Sequence, residues 1–196
     1  MAGVINDDAL DVLFREGRTY DAFIDRPVPD DLLCRAYDLA RMTPTSANCQ
    51  PMRILFVRSD DAKQKMAPAL SSTNREKSVR APVTAIIAQD LQFYEKLPRL
   101  YRVPGAEKWF TGQAGLIAET AFRNASMQGA SFMLAARAVG LDVGPMSGFD
   151  NAKIDEAFFA GTSWKSNFLC NLGFGDPVTL PPRDRRLDFD EACRIV

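Results

Sequence analysis

The sequence predicts a single domain of the mixed α and β class. Segments with helical spacing of apolar residues alternate along the chain with short β-branched runs, which is typical of helices packed on a sheet. The chain has 196 residues, of which 46% are hydrophobic, and this is enough to bury one good core. We therefore expect residues 1–196 to form one domain.

Capping residues mark the first two helices. Asn6 can cap a first helix, with Asp7 and Asp8 in its first turn, where carboxylates suit the positive end of the helix dipole. A second helix is predicted to start after Pro29-Asp30 and to run to about Met42, because its leucines and alanines recur at helical spacing.

Four apolar runs bounded by turn residues predict the strands. They are Ile54–Val57, Val83–Ala88, Asp142–Pro145 and Phe168–Leu172. Ser59 can cap a short helix after the first strand, and another helix is predicted from Asn151.

A long helix is predicted from about Gly112 to Val139, and Gly140 is placed to end it in the left-handed conformation. The segment is rich in Gly and Ala and carries large apolar side chains on more than one face. A helix that is apolar most of the way round must be covered on most sides. We expect it to be the central helix of the domain and to be covered in part by a second subunit.

Composition excludes several kinds of catalytic site. The sequence has no His, which excludes Ser-His-Asp triads, Cys-His dyads and metals bound by imidazole. The four cysteines form no C-x-x-C pair, which argues against a zinc ribbon, an iron–sulfur cluster or a thioredoxin-type centre. With no signal peptide recognised, a reducing cytoplasm is the expected location.

Charge and hydropathy indicate the kind of partner. The formal net charge of -1 gives no attraction to nucleic acid, and no apolar run approaches the roughly 20 residues of a membrane span. We expect the partner to be a small molecule or a second copy of the chain.

The most informative stretch is Pro44-Thr45-Ser46-Ala47-Asn48-Cys49-Gln50-Pro51, between the second helix and the first strand. Its two prolines punctuate the flanking elements, and the residues between them offer hydroxyl and amide groups that donate and accept hydrogen bonds without carrying charge. Such groups suit a neutral heterocycle better than a phosphate. Ser, Asn and Pro also make turns, so a turn without a ligand is an equally good interpretation.

Basic residues lie near both ends of the chain. Arg18 follows the first helix, and Arg183, Arg185 and Arg186 lie in the polar tail after Pro181-Pro182. Arginines brought together from opposite ends make a bidentate anion clamp. Solvated charge near the termini is the alternative interpretation.

Two further groups can carry chemistry. Asn74 and Lys77 stand three residues apart and share a face on a helical turn, although an exposed helix start explains them equally well. Ser147 and Gly148 lie between a predicted strand and the helix from Asn151, where backbone N–H groups can bind an electron-rich ring atom.

Taken in this order, these elements resemble the nitroreductase family of FMN enzymes over nearly the whole chain. The motifs that carry the resemblance are Arg18-Thr19-Tyr20, Pro44–Pro51, Asn74-x-x-Lys77, Gly140-Leu141-Asp142, Pro145–Asp150 and the basic tail. Within the family, Thr43–Pro51 and the ending Phe189–Arg194 look like the RutE type, the malonic semialdehyde reductases of pyrimidine breakdown.

The resemblance implies an α+β fold in which a mainly antiparallel sheet is wrapped by helices, as an intertwined homodimer with two FMN sites at its interface. In each site one chain would contact the flavin ring and the phosphate, and the second chain would bring its loop to the isoalloxazine. The implied FMN-binding residues are Arg18, Asn74, Lys77, Ser147, Gly148, Arg183 and Arg186 of one chain, and Thr45, Ser46, Asn48 and Asn124 of the other.

Each of these positions has an implied role. Arg18 would approach the pyrimidine or ribityl side, Asn74 and Lys77 the pyrimidine edge, and the N–H groups of Ser147 and Gly148 the N5/O4 edge. The arginines of the tail would bind the phosphate. No side chain is assigned a catalytic role, because the flavin N5 would carry the hydride.

The sequence departs from the family pattern in two places. Phe14 and Glu16 stand where many members carry Arg and Ser, and a carboxylate beside a phosphate is unfavourable. Ser147 replaces an acidic residue that is common in the family, although its expected contact is through the backbone.

The resemblance implies that NAD(P)H reduces malonic semialdehyde to 3-hydroxypropionate through the flavin. Candidate partners for the substrate carboxylate are Arg99, Arg102 and Lys108, which lie in a stretch predicted to be irregular around Pro98 and Pro104. A solvated loop is the alternative interpretation for each of them. A general NAD(P)H-dependent nitro, quinone or flavin reductase is the alternative within the enzyme class. A carrier or sensor that binds FMN without turnover is the alternative from another class.

Overall fold

A computed structural model describes residues 3–196. Its centre is a four-stranded sheet in which every neighbouring pair is antiparallel, in the order β1-β2-β4-β3. The strands are β1 (Met52–Val57), β2 (Val83–Asp90), β3 (Asp142–Met146) and β4 (Trp164–Gly173). The α+β class is thus confirmed, and each strand extends beyond its predicted bounds because pairing continues wherever the neighbouring strand offers backbone groups.

Helices cover the sheet and connect its strands. They are α1 (Asp7–Leu10), α2 (Asp30–Ala40), α3 (Asp60–Met66), α4 (Ser72–Arg80), α5 (Leu97–Leu100), α6 (Ala114–Ala138), α7 (Asn151–Phe159) and α8 (Phe189–Ala192). A π-helical turn, Asp11–Arg15, continues α1. Within residues 3–196, no helix combines the length and the hydrophobicity that crossing a membrane requires.

The predicted caps are confirmed. The Asn6 side chain accepts a hydrogen bond of 3.0 Å from the Ala9 N–H, and the Ser59 hydroxyl accepts one of 3.3 Å from the Ala62 N–H. Gly140 has φ 88°, the left-handed conformation that suits a residue without a Cβ atom.

The stretch between β2 and α6, which we predicted to be irregular, contains α5 and two 3₁₀ turns, Phe93–Lys96 and Ala106–Trp109. The difference has a packing cause, because Phe93, Leu97 and Phe110 are buried in a small apolar cluster of their own. Burying these side chains fixes short helical turns that periodicity alone cannot reveal.

The long helix α6 is covered on one side only within a single chain. Its inner residues, including Ala125 and Phe132, are buried in the main core against the sheet. On the outer side Leu116, Phe122 and Met127 are 45%, 56% and 44% exposed. The predicted central position is correct, and the outer apolar face remains open.

The segment after the first helix lies directly against β3. Thr19 forms a parallel bridge with Val143, and the Tyr20 N–H donates to the Val143 carbonyl at 3.0 Å. A Cβ atom at Gly144 would lie 2.4 Å from the Tyr20 carbonyl oxygen, so only glycine permits this approach. The close approach fixes the backbone next to Arg18.

Replacing Gly144 by Ala should therefore lower the free energy of unfolding by about 1–3 kcal/mol, because the added methyl group must displace a backbone carbonyl. Gly115→Ala is the matched control, since nothing lies within 4 Å of the added Cβ there. That helical substitution should be neutral or stabilising by up to about 1 kcal/mol. Denaturant unfolding of both variants measures the difference, and equal stabilities would contradict the account of Gly144.

Candidate functional site

Four arginines from distant parts of the chain line one cavity of about 310 Å³. The cavity brings together the predicted Arg18, Arg183 and Arg186, and it adds Arg137 from the last turn of α6. Asp184 is the one carboxylate among its lining residues. We call it the arginine cavity; its charge suits a phosphate or another dianion.

The arginines of this cavity bind backbone carbonyls. Arg18 donates to the Pro181 carbonyl, and Arg183 donates to the carbonyls of Arg15 and Gly17 at 2.7 and 3.1 Å. These bonds fasten the C-terminal tail to the start of the chain. Within residues 3–196, none of the four arginines forms an ion pair with a carboxylate, so their positive charge stays available to an anion.

Arg186 lines the arginine cavity, whereas Arg185 and Glu16 lie outside it. Arg186 donates only to the carbonyls of its own segment, at 2.9 and 3.1 Å, and Arg185 does not line the cavity. Glu16 is exposed and lies outside the lining residues, whereas Phe14 is one of them. The unfavourable carboxylate is therefore not part of the cavity wall.

Sequence reasoning missed Arg137. Its guanidinium donates to the carbonyls of Leu13 and Arg18 at 3.1 and 3.2 Å, and burial lowers its pKa from the usual value. It is the one charged residue of α6 after Arg123, and that isolation was the available signal. Through the second of these hydrogen bonds, Arg137 fixes the backbone at Arg18.

Helix α4 brings Asn74 to the turn that follows β3. The Asn74 side chain is 7% exposed, and its amide nitrogen donates to the Gly148 carbonyl at 3.0 Å. A Cβ atom at Gly148 would lie 2.6 Å from that nitrogen. The exposed helix start considered above is therefore wrong for Asn74. Lys77, one turn further on, forms an ion pair of 2.8 Å with Asp21.

The turn after β3 presents free backbone donors. Ser147 and Gly148 are exposed, and within the described part of the chain neither of their N–H groups donates a hydrogen bond. Adjacent N–H groups of this kind form a site for an electron-rich atom.

The loop Pro44–Pro51 is held in a strained conformation. Ala47, Asn48 and Gln50 have φ values of 50°, 50° and 40°, which L-residues rarely adopt. The Asn48 side chain donates to the Leu100 carbonyl at 2.7 Å, which ties the loop to α5. The Thr45 hydroxyl accepts a hydrogen bond of 3.2 Å from the Gln50 N–H.

Asn124 supports this loop from α6. It is 3% exposed, and its side-chain oxygen accepts a 2.8 Å hydrogen bond from the Ser46 N–H. Its amide nitrogen donates to the Thr120 carbonyl at 2.8 Å. With both polar atoms engaged, Asn124 acts on the loop and positions Ser46.

A second cavity, of about 480 Å³, lies beside the loop and contains Gln50 and Arg99. Arg53 and Lys96 also line it, and both pair with the buried Asp90 at 2.6 and 3.1 Å. Burial acts to raise the pKa of Asp90, but hydrogen bonds, led by that of Ser163, and the charge of Arg53 outweigh it and lower the pKa.

Arg99 differs from its neighbours in this cavity. It is exposed, and it forms no ion pair within residues 3–196. The other two predicted carboxylate partners, Arg102 and Lys108, are exposed and lie outside this cavity. Of the three cations that line this cavity, Arg99 is thus the one without an ion pair among the described residues.

The loop Pro44–Pro51 and the turn at Ser147 and Gly148 lie at opposite edges of the sheet. The loop precedes β1, whereas Ser147 and Gly148 follow β3, and three strand spacings of about 14 Å in total separate the two edges. The arginine cavity contains no loop residue. Within one chain the predicted site is therefore two separate halves.

Comparison with known proteins identifies the class. A model of the Nitroreductase family matches residues 16–174, and we conclude that the chain belongs to this family. A relative from Stenotrophomonas maltophilia, named "Putative NADH dehydrogenase/NAD(P)H nitroreductase", is 58% identical over 195 residues, and the alignment covers 100% of both chains.

Solved structures share the fold at low identity. A structure from Bacillus subtilis superposes with a TM-score of 0.87 at 22% identity, covering 97% of this chain and 100% of the other. A structure from Exiguobacterium sibiricum, in complex with FMN, superposes with a TM-score of 0.85 at 18% identity, and 100% of each chain is covered.

The loop Pro44–Pro51 also contains Cys49, which is buried. Burial raises the pKa of Cys49 to about 11, so the thiol stays protonated at pH 8. Alkylation by iodoacetamide at pH 8 should be slower than for the exposed Cys34 by about a hundredfold or more, since the thiolate is the reacting form. Mass spectrometry of labelled peptides measures both rates, and unfolding the protein should remove the difference. Equal rates in the native protein would show that Cys49 is not shielded.

Proposed function

We propose that the protein is an FMN-dependent NAD(P)H oxidoreductase that works as a homodimer with a flavin site at each interface. The observation that carries the proposal is the arginine cavity, in which four cations without ion pairs converge at the edge of the sheet that also presents Asn74, Ser147 and Gly148. The FMN in the E. sibiricum structure and the nitroreductase name of the S. maltophilia relative add support.

The residues fit the two ends of FMN. Arg183 and Arg186 would hold the phosphate dianion, and Arg18 would approach the pyrimidine or ribityl side, with Arg137 next to it. The unpaired N–H groups of Ser147 and Gly148 would face the electron-rich N5/O4 edge of the ring, where they stabilise added negative charge.

The polar side chains of α4 would bind the pyrimidine edge of the ring. Asn74 keeps its side-chain oxygen free of partners within residues 3–196, and Lys77 holds a positive charge one turn away. Bound FMN would supply the hydride chemistry between NAD(P)H and the acceptor. The chain's own groups would orient the ring.

A second chain would complete the site. Thr45, Ser46 and Asn48 lie at the opposite edge of the sheet, so the loop that reaches a given flavin would belong to the other copy. Asn124 ties this loop to α6, whose outer face leaves Leu116, Phe122 and Met127 exposed. Apolar patches of this kind mark protein interfaces.

For the acceptor, we propose malonic semialdehyde, reduced at its aldehyde carbon to 3-hydroxypropionate in pyrimidine breakdown. Arg99 beside the loop is the cation that would bind the carboxylate. A general nitro or quinone reductase would need no such cation. The four cysteines are free, which agrees with a reducing cytoplasm as the place of action.

The first test concerns FMN. Purified protein should be yellow, release FMN on denaturation and sediment above the 21.7 kDa mass of one chain. Arg18→Ala should weaken FMN binding, because it removes a charge-assisted hydrogen bond worth about 1.5–3 kcal/mol. In this variant, reduction of the bound flavin should stay slow even at saturating FMN, because the proposed partner of Arg18 is the ring system that reacts. Fluorescence titration with FMN and stopped-flow reduction by NADH measure the two effects.

Arg186→Ala is the matched variant. It should weaken FMN through the phosphate alone, so that saturating FMN restores nearly normal turnover. Colourless protein that cannot be reconstituted, or a stable monomer, would refute the shared flavin site. If neither variant changes FMN affinity, the assignment of the arginine cavity to the phosphate is wrong.

The second test concerns the acceptor. Steady oxidation of NADH and NADPH is followed with malonic semialdehyde and with a nitroarene in parallel. Arg99→Gln should raise the KM for the semialdehyde about tenfold or more, because a carboxylate partner is lost, and should leave the nitroarene KM within twofold.

Arg102→Gln is the control, since Arg102 is exposed and lies outside the cavity. Turnover of the nitroarene alone would make the protein a general reductase. No turnover of either acceptor by flavin-loaded protein would favour the carrier or sensor.

A further inference from the structure

A third cavity contains none of the predicted FMN-binding residues among those that line it. It has a volume of about 430 Å³ and lies between the loop 23–28, the end of β1 and the helices α3 and α4. It shares no lining residue with the arginine cavity. Four cations line it, Arg26, Arg58, Lys63 and Arg80, against the single carboxylate of Asp25.

Lys63 is the most unusual of these cations. It is only 9% exposed, and within residues 3–196 its ammonium group makes no hydrogen bond and no ion pair. Lysines are almost never buried unless they are paired. No fully buried side-chain nitrogen or oxygen of the described residues lacks a partner, so the Lys63 ammonium keeps some accessible surface, and Lys63 is one of the residues that line the cavity.

The arginines around it leave donors available. The Arg26 guanidinium stacks on the Phe174 ring at 3.9 Å and forms no ion pair in the described part of the chain, so its N–H groups remain free at the edge. Arg58 is held by Asp30 at 2.7 Å and by the Val28 carbonyl at 3.1 Å.

Arg80 pairs with Glu76 at 3.1 Å, but both side chains are more than 70% exposed, so solvent screens this pair. The cations therefore approach the cavity from four separate segments of the chain. Cations that come from several segments suit an anion with several acceptor oxygens, such as a phosphate.

We propose that this cavity is a second anion site, which binds a phosphate dianion, free or as the monoester of a small metabolite, with Lys63 as the principal contact. The volume of the cavity exceeds that of the anion and leaves room for an organic group beside it. Binding would supply the counter-charge that the Lys63 side chain lacks among the described residues.

The test is thermal unfolding in phosphate-free buffer at constant ionic strength, with inorganic phosphate and ribose 5-phosphate as the titrants and ribose as the blank. The melting temperature of the wild type should rise with the logarithm of the titrant concentration once that concentration exceeds the apparent Kd. Lys63→Met should weaken the apparent Kd about tenfold or more, because it removes the charged donor and keeps the length of the side chain.

Lys65→Met is the matched control on the same helix, since Lys65 is exposed and should leave the Kd within twofold. Arg18→Ala is the second control, because phosphate can also enter the arginine cavity. A response that survives Arg18→Ala and is lost in Lys63→Met assigns the site to the third cavity. Arg26→Gln, on the exposed rim, should weaken binding severalfold without threatening the fold.

The two titrants distinguish the sources of the anion. Tighter binding of ribose 5-phosphate than of phosphate would identify a phosphorylated metabolite, and equal binding would identify free phosphate. The proposal is overturned if neither titrant shifts the melting temperature of the wild type, or if Lys63→Met and Arg26→Gln both keep the wild-type Kd.

Discussion

The close contact between the N-terminal segment and β3 is the constraint on which the candidate site depends. Gly144 lets the Tyr20 carbonyl approach the strand, and the bridge from Thr19 to Val143 then fixes the backbone beside Arg18. With that backbone fixed, Arg137 and the C-terminal tail bind its carbonyls, and the arginine cavity closes around it. The absence of a side chain at Gly144 thus allows residues from both ends of the chain to form one charged site.

The order of the strands explains why the site is divided. An antiparallel sheet in the order β1-β2-β4-β3 places the two strands that carry the predicted residues at its two edges. A ligand bound at one edge is therefore three strand spacings, about 14 Å, from the loop at the other edge of the same chain. The open apolar side of α6 lies next to the loop, so a second copy that covers this face would also bring the two halves of different chains together.

The cations of the structure fall into two groups that differ in what neutralises them. Arg53 and Lys96 share the buried Asp90, whose depressed pKa reflects a complete set of partners, and they stabilise the end of the sheet. The side chains of the arginines around Arg18 bind only carbonyls, and the Lys63 ammonium group has no hydrogen-bond or ion-pair partner among the described residues. Charge without a carboxylate partner favours the interpretation of a cluster as a ligand site over that of a structural ion pair.

The sequence by itself determined the class, the main elements and the family, because capping residues, hydrophobic periodicity and the motifs around Arg18, the loop Pro44–Pro51 and Asn74 are local signals. It could not identify Arg137 or choose Arg99 over Arg102, since both choices depend on contacts between residues far apart in the chain. It also left open whether Asn74 is exposed. Only the tertiary structure decided these points, because burial and charge compensation arise when distant segments pack together.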